Sequence, residues 1–381
     1  MKRRLALALS ASLALGALTV PFAAGSAQAG TGSTATARHA CPAPDARALT
    51  EAISGLPDDA TAALVRVGGT CGSWHGTAGV RDLRTQHKAL PDAEFRAGST
   101  TKVVTAATVL RLAADGRVDL DAPVQRYLPD LFRGTSFHLP ISVRQLLNHT
   151  SGIKEGTGWG DDFAVQYAHR FDIITHHQVI TSALAKGPAF DPGTQQQYLN
   201  INYTLLGLLI ERVTGHSYAD VATRLVLRPA GMHHTYFPGD DPRIRGPHNR
   251  GYQLADGEFV DVTEWVQSDR WAAGDMISTT ADLERLLTSL FRGRIVPRPQ
   301  LAEMFTVPSD IKDATMSAGL ERTEFDGVTY WGKSGARYGY SGAMAATRDL
   351  SRTLVYAITA TDAKGAGMNP VAQRIVLAAA R

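Results

Sequence analysis

The chain has 381 residues, 44% of them hydrophobic and 20% charged, a balance that suits a folded globular protein and excludes a disordered one. Its formal charge of +3 comes from the extreme N-terminus: without Lys2, Arg3 and Arg4 the 39 basic side chains fall to 36, matching 36 acidic ones. A near-neutral chain without a basic run gives nucleic-acid binding little support.

Residues 1–29 read as a secretory leader. A positive start precedes the apolar run Leu5 to Val20, and Ala27-Gln28-Ala29 offers a small-x-small cleavage site before Gly30. The alternative is an N-terminal anchor helix, but the run is short for a span and Pro21 ends it. A secreted protein with no membrane anchor in its mature form is expected; Arg3-Arg4 leaves Sec and twin-arginine export both open. Residues 30–44, rich in small side chains, read as a linker. In an oxidising compartment Cys41 and Cys71 are expected to form one disulfide, the alternative being two free thiols.

Further on, "DARALTEAISGL" has helical apolar spacing, and "ATAALVRVGG" and "GSWHGTAGVRD" read as strands joined by a glycine-rich turn. Residues 100–114 form a helix apolar on nearly every side, stopped at Gly116, hence a central helix. Lys102 in its first turn is therefore anomalous. From 117 to 264 the pattern is mostly helix and loop. After 265 a capped helix, "STTADLERLLTSLFRG", precedes three antiparallel strands, "VTYWGKSG", "YSGAMAATRD" and "RTLVYAIT". The last segment, "NPVAQRIVLAAAR", is a helix with Asn369 as cap and Pro370 at its first position. The expected fold is α+β, an α/β sandwich: a discontinuous sheet domain of residues 45–116 and 265–381, its antiparallel sheet flanked by helices, holding a mostly helical insertion over 117–264.

Three segments carry chemistry. Ser99 and Lys102, at i and i+3 around a helix start, share a face, and a desolvated lysine can take part in removing the serine proton. In "PGTQQQYLNINYTLLG", Tyr198 supplies a phenol that becomes a strong base when cations lower its pKa, and Asn200 can donate to a carbonyl or orient Lys102. Tyr203 reads as packing. In "WGKSGARYG", Lys333-Ser334-Gly335 falls in a strand. Each motif alone is weak: S-x-x-K is commonly a surface helix start, and K-S-G a strand end.

Taken in order, "STTK", "YLN" and "KSG" resemble the three motifs of the penicillin-recognising serine hydrolases, in the branch of class C β-lactamases, secreted D-alanyl-D-alanine carboxypeptidases and related esterases. "FRAGSTTK", "ISVRQLLNHTSG" and "AAGDMISTTADLERLL" also look like family segments, and the resemblance runs over roughly residues 45–380. It implies a β-lactamase/DD-peptidase-like fold and an acyl-enzyme on Ser99. Lys102 and Tyr198 would move protons, Asn200 would contact the substrate amide, and Lys333 with Ser334 would meet a substrate carboxylate. The backbone N–H groups of Ser99 and Ala336 would form the oxyanion hole. The expected partner is a peptidyl or acyl small molecule, first a peptidoglycan stem peptide, with β-lactams as acylating inhibitors or substrates. Esterase, D-amino-acid amidase and β-lactamase are alternatives, and a non-catalytic penicillin- or peptidoglycan-binding protein is a further one.

Leu199 stands where the family has serine, with its side chain expected to point away from the cleft, and Ser334 replaces threonine. Arg322 or Arg337 could supply a second basic group for a carboxylate, but each reads rather as a solvated strand arginine. The pairs His176-His177 and His233-His234 lack metal-ligand spacing, and His149 in "NHTSG" is read as structural, so no metal and no cofactor is expected.

Overall fold

The computed structural model describes residues 41–160, 162–365 and 367–380; the leader expected at 1–29 and most of the 30–44 linker lie outside them. Helix α1 (Ala46–Ala52) starts where the Asp45 carboxylate accepts the Arg47 and Ala48 N–H groups, both at 3.0 Å. Strands β1 (Ala60–Gly68) and β2 (Trp74–Gly79) follow, then the short β3 (Phe95–Arg96) leading into α2 (Thr101–Ala114). Cys41 and Cys71 are joined as a disulfide across 30 positions.

Short helices fill the middle of the chain, among them α3 (Val143–Leu147), α4 (His176–Ala185) and α5 (Asn200–Thr214). Both α3 and α4 open with a capping box, Ser142 with Gln145 and Thr175 with Gln178. The segment also holds a hairpin that the helix-and-loop reading missed, β4 (Tyr252–Ala255) with β5 (Glu258–Asp261). Its turn residues Asp256 and Gly257 both have positive φ, 51° and 82°, the conformation an Asp-Gly hairpin turn requires.

Strand β6 (Ile277–Ser278) pairs with β3, and α6 (Thr280–Phe291) follows it. The chain then lays down β7 (Glu321–Phe325), β8 (Val328–Arg337), β9 (Tyr340–Thr347) and β10 (Thr353–Ala360), and closes with α7 (Pro370–Ala379). Strand β7 was also unanticipated. It is joined to β8 by a second Asp-Gly turn, Asp326-Gly327.

The main sheet is antiparallel, in the order β2-β1-β10-β9-β8-β7. The N-terminal β1 thus lies beside the last strand, with Leu64 opposite Ala357. One face of its β1/β10 side is covered by α1 and α7, through Leu49, Ile53, Val371 and Ile375. The other face carries the large core, into which α2 sends Val103, Val104, Ala107 and Leu110, and α5 sends Leu205, Leu206, Leu209 and Ile210. Burying each such aliphatic chain contributes about 1.5–3 kcal/mol, so α2 and α5 are fixed against each other and against the sheet. Both begin at the edge of β8, and that is where the motif residues collect.

Candidate active site

The turn before α2 is built for close approach. Gly98 has φ +54°, and a Cβ placed on it would lie 2.7 Å from the nitrogen of Ala336. Opposite it, a Cβ on Gly335 would overlap the Ala97 carbonyl and sit 2.9 Å from the nitrogen of Ser99. The two glycines therefore let β8 touch the turn backbone to backbone, bringing the Ser99 and Ala336 nitrogens to the two sides of one contact. Thr100 and Thr101 steady the turn by donating their hydroxyls to the Ala97 and Gly98 carbonyls at 2.9 and 2.6 Å.

Lys102 is fully buried, and its Nζ makes three bonds: to Ser99 Oγ at 3.3 Å, to Asn200 Oδ1 at 2.7 Å and to the Ala273 carbonyl at 2.7 Å. These bonds offset the cost of burying a lone ammonium. Burial pulls the Lys102 pKa below the usual amine range, and the Lys333 charge adds to that; Tyr198 and Glu155 oppose it. Asn200 is fixed from behind, its own N–H donating to the Glu155 carboxylate at 2.8 Å.

The Tyr198 ring sits between the two amines, its centroid 4.9 Å from Lys102 Nζ and 4.6 Å from Lys333 Nζ. Its hydroxyl is buried without an aligned hydrogen-bond partner. Burial resists ionisation, yet the charges of Lys102 and Lys333, helped by Lys102 and Ser99 as polar neighbours, bring its pKa from 10 down to about 8. His149 packs on the same ring at 4.7 Å between centroids. Burial keeps His149 neutral, and its Nδ1 accepts the Leu199 N–H at 3.3 Å, so it serves as a wedge that aims the Tyr198 segment. Tyr203 donates its hydroxyl to the Leu147 carbonyl at 2.8 Å within the core. Leu199 packs against that core too.

Ser99, Lys102, Tyr198, Asn200, Lys333 and the Ala336 backbone are thus brought together. Strand alternation sets Ser334 on the opposite face of β8 from Lys333, at the stretch past Gly332, the last residue paired with β7.

Of the two arginines, Arg337 departs from expectation and Arg322 does not. Arg337 is 3% exposed, not solvated; it lies 3.6 Å from Asp269, and burial pulls its pKa down to about 10 despite that carboxylate. Its strand position faces the core side of the sheet, which the sequence pattern of β8 could have shown. Arg322 is exposed on the edge strand and paired with Glu324. Neither presents a free guanidinium to the cleft. Two neighbours that sequence reading missed are Glu155 and Arg270. Glu155 acts electrostatically on both Lys102 and Arg270, and Arg270 also feels Tyr198. Both come from loops without periodicity, where only the position of Glu155 just after "NHTSGIK" offered a clue.

A serine–lysine–tyrosine cluster around a buried lysine, at the junction of an antiparallel sheet and a central helix, defines a serine-type hydrolase. The beta-lactamase family model matches residues 50–380, and the chain belongs to that family, within the penicillin-recognising serine hydrolase superfamily. Among solved structures, a D-stereospecific amidohydrolase from Streptomyces sp. is 31% identical, with a TM-score of 0.76 over 88% of this chain and 98% of that one. Protein flp of Staphylococcus aureus is 30% identical over 210 residues, 54% of this chain and 40% of its own length. Penicillin-binding protein 4* of Bacillus subtilis is 26% identical over 305 residues, 74% of this chain and 64% of its own. The chain therefore spans about two fifths to two thirds of these two curated relatives.

Proposed function

We propose that the protein is a secreted hydrolase that forms an acyl-enzyme on Ser99 and acts as a D-alanyl-D-alanine carboxypeptidase on peptidoglycan stem peptides. The observation carrying this reading is the placement of Tyr198 between two amines beside Ser99, which brings its ionisation down to about pH 8 and so makes a phenolate base accessible. In this mechanism the Tyr198 phenolate takes the Ser99 proton, with Lys102 holding both side chains in line. Ser99 Oγ attacks the peptide carbonyl, and the developing oxyanion is met by the Ser99 and Ala336 N–H groups. The proton on Tyr198 then passes to the leaving D-alanine amine as the C–N bond breaks. Water, deprotonated by the same phenolate, releases the acyl group. Lys333, which makes no ion pair among the described residues, would attract the substrate carboxylate.

A second reading, an amidase for D-amino-acid amides, is favoured by Glu155, a carboxylate near Lys102 and Asn200 that suits a free substrate ammonium. The similarity to a D-stereospecific amidohydrolase supports it as well. Incubation with a fluorescent penicillin, a diacetylated tripeptide ending in D-alanyl-D-alanine, and D-phenylalanine amide separates the two. Release of D-alanine, with a penicillin adduct of the expected mass on wild type and none on Ser99→Ala, supports the carboxypeptidase. Ammonia from the amide without D-alanine release supports the amidase. No turnover and no adduct refutes both.

A further inference from the structure

On the face of the sheet away from the cleft, α7 and α1 cover only the β1/β10 side. Beyond α7 a groove open to solvent runs over β7 to β10. Small residues floor it: Gly332, Ala343 and Ala345. Phe325 and Tyr330 stand on one side, and Leu354 and Val376 on the other. Gly332 cannot easily grow, since a Cβ there would meet Ala345 Cβ at 2.7 Å.

One end of the groove is cationic. Arg352, 6% exposed, lines it; Nη2 donates to the Pro42 carbonyl at 2.6 Å, while Nη1 is buried with no partner. Among the described residues Arg352 makes no ion pair. A buried guanidinium without a counterion is costly, and an anion brought to it recovers part of that cost. Tyr330 lines the groove opposite Thr347 in the β8/β9 register, and its hydroxyl feels the Arg352 charge and, with opposite sign, that of Asp326. The carboxylate that lines the groove itself, Glu321, borders it from β7, three strands from β10, which at ~4.8 Å per strand puts their backbones roughly 14 Å apart. From Tyr330 to Ser334 the floor extends roughly 13 Å, about the length of a medium-chain acyl group.

We propose that this groove is a second binding site, separate from the Ser99 cleft, for a small amphipathic carboxylate whose chain lies on the small-residue floor and whose head meets Arg352 and Tyr330. The test is calorimetric titration of the full chain with sodium decanoate and with decanol. Decanoate is expected to bind one per chain with Kd below about 1 mM and at least tenfold more tightly than decanol. Arg352→Gln should erase that difference. Because Arg352 also holds the Pro42 segment, Ala345→Leu, which fills the groove from its floor, serves as the second variant and should abolish binding of both. Equal binding of acid and alcohol to wild type, no binding at millimolar concentration, or unchanged binding by Ala345→Leu would each overturn the proposal. So would a concentration-dependent dimer in sedimentation that Ala345→Leu dissociates, since the groove would then belong to a second copy.

Discussion

Gly98→Ala tests whether the contact between the α2 turn and β8 sets the position of the attacked carbonyl. The added methyl would lie 2.7 Å from Ala336 N, 3.0 Å from its O and 3.1 Å from its C, all backbone atoms, where ordinary contact begins at 3.4 Å. The Ala336 nitrogen must then retreat by roughly 0.7 Å, and displacements on the order of 1 Å can cost 10²-fold in rate. A loss of roughly 10- to 100-fold in kcat is expected for hydrolysis of a p-nitrophenyl ester, with KM changed less. The left-handed backbone at +54° adds about 1–2 kcal/mol of destabilisation for alanine. Gly116→Ala supplies the control: its φ is +71°, and an added Cβ meets nothing within 4 Å. It should lose similar stability by thermal denaturation and keep its kcat. If Gly98→Ala keeps kcat within twofold, or if Gly116→Ala loses activity in parallel, the positioning argument fails.

Tyr198→Phe is expected to lower kcat/KM by at least about 10² and to remove a rise in wild-type kcat/KM centred near the Tyr198 pKa of about 8; a rise that survives the substitution assigns it elsewhere. Its hydroxyl has no aligned partner, so stability at pH 7 should hardly change. The folded pKa lies below the unfolded value of 10, so the wild type gains stability as pH climbs from about 8 towards 10. The variant should therefore fall behind by ~1 kcal/mol at pH 9 in urea melts. Asp275 shows the opposite sign: burial raises its carboxyl well above 3.8, so its contribution is present at low pH and is lost as pH rises towards the folded pKa. Asp275→Asn should raise the melting temperature more at pH 8 than at pH 4, and an equal shift at both would show the carboxyl to be ionised in the fold. Replacing both Cys41 and Cys71 by serine opens a link across 30 positions and should cost at most ~3–4 kcal/mol. Ester hydrolysis should be unaffected, and a lost kcat would tie the N-terminal segment to the cleft.

Most of the sheet was legible because its strands carry either the alternation of a half-buried face or a continuous apolar run, as in "RTLVYAIT". The omissions share one cause. Strands β4, β5 and β7 are short and lie in a hairpin or at an edge, so their apolar signal is weak; only the Asp-Gly pairs at 256–257 and 326–327 marked them, and those pairs are local signals that require no core pattern. Arg337 was misread for a related reason. A charged side chain on a strand suggests solvent unless its register is known, and the register here places it on the same face as Trp331 and Lys333, opposite a carboxylate contributed by a loop.

The same logic explains why Lys102 was the informative residue. A charge in the first turn of a helix apolar on nearly every side contradicts its surroundings, and such contradictions are retained only where other groups compensate them. The compensation comes from three places that no local window joins: Ser99 one turn back, Asn200 at the start of α5, and the carbonyl of Ala273. Sequence could show that Lys102 needed partners and could nominate the serine and the asparagine by motif. It could not nominate a backbone carbonyl, which has no identity in sequence, or Glu155, whose influence reaches Lys102 through space and through the Asn200 N–H. Lys102→Met separates these contributions: it keeps the packed volume while leaving the Ala273 carbonyl and Asn200 Oδ1 without their donor. If the buried bonds hold the cleft together, that variant should lose activity and at least about 1–3 kcal/mol of stability. Should it prove as stable as wild type and merely inactive, the lysine is held by packing alone, and its three bonds serve only the chemistry.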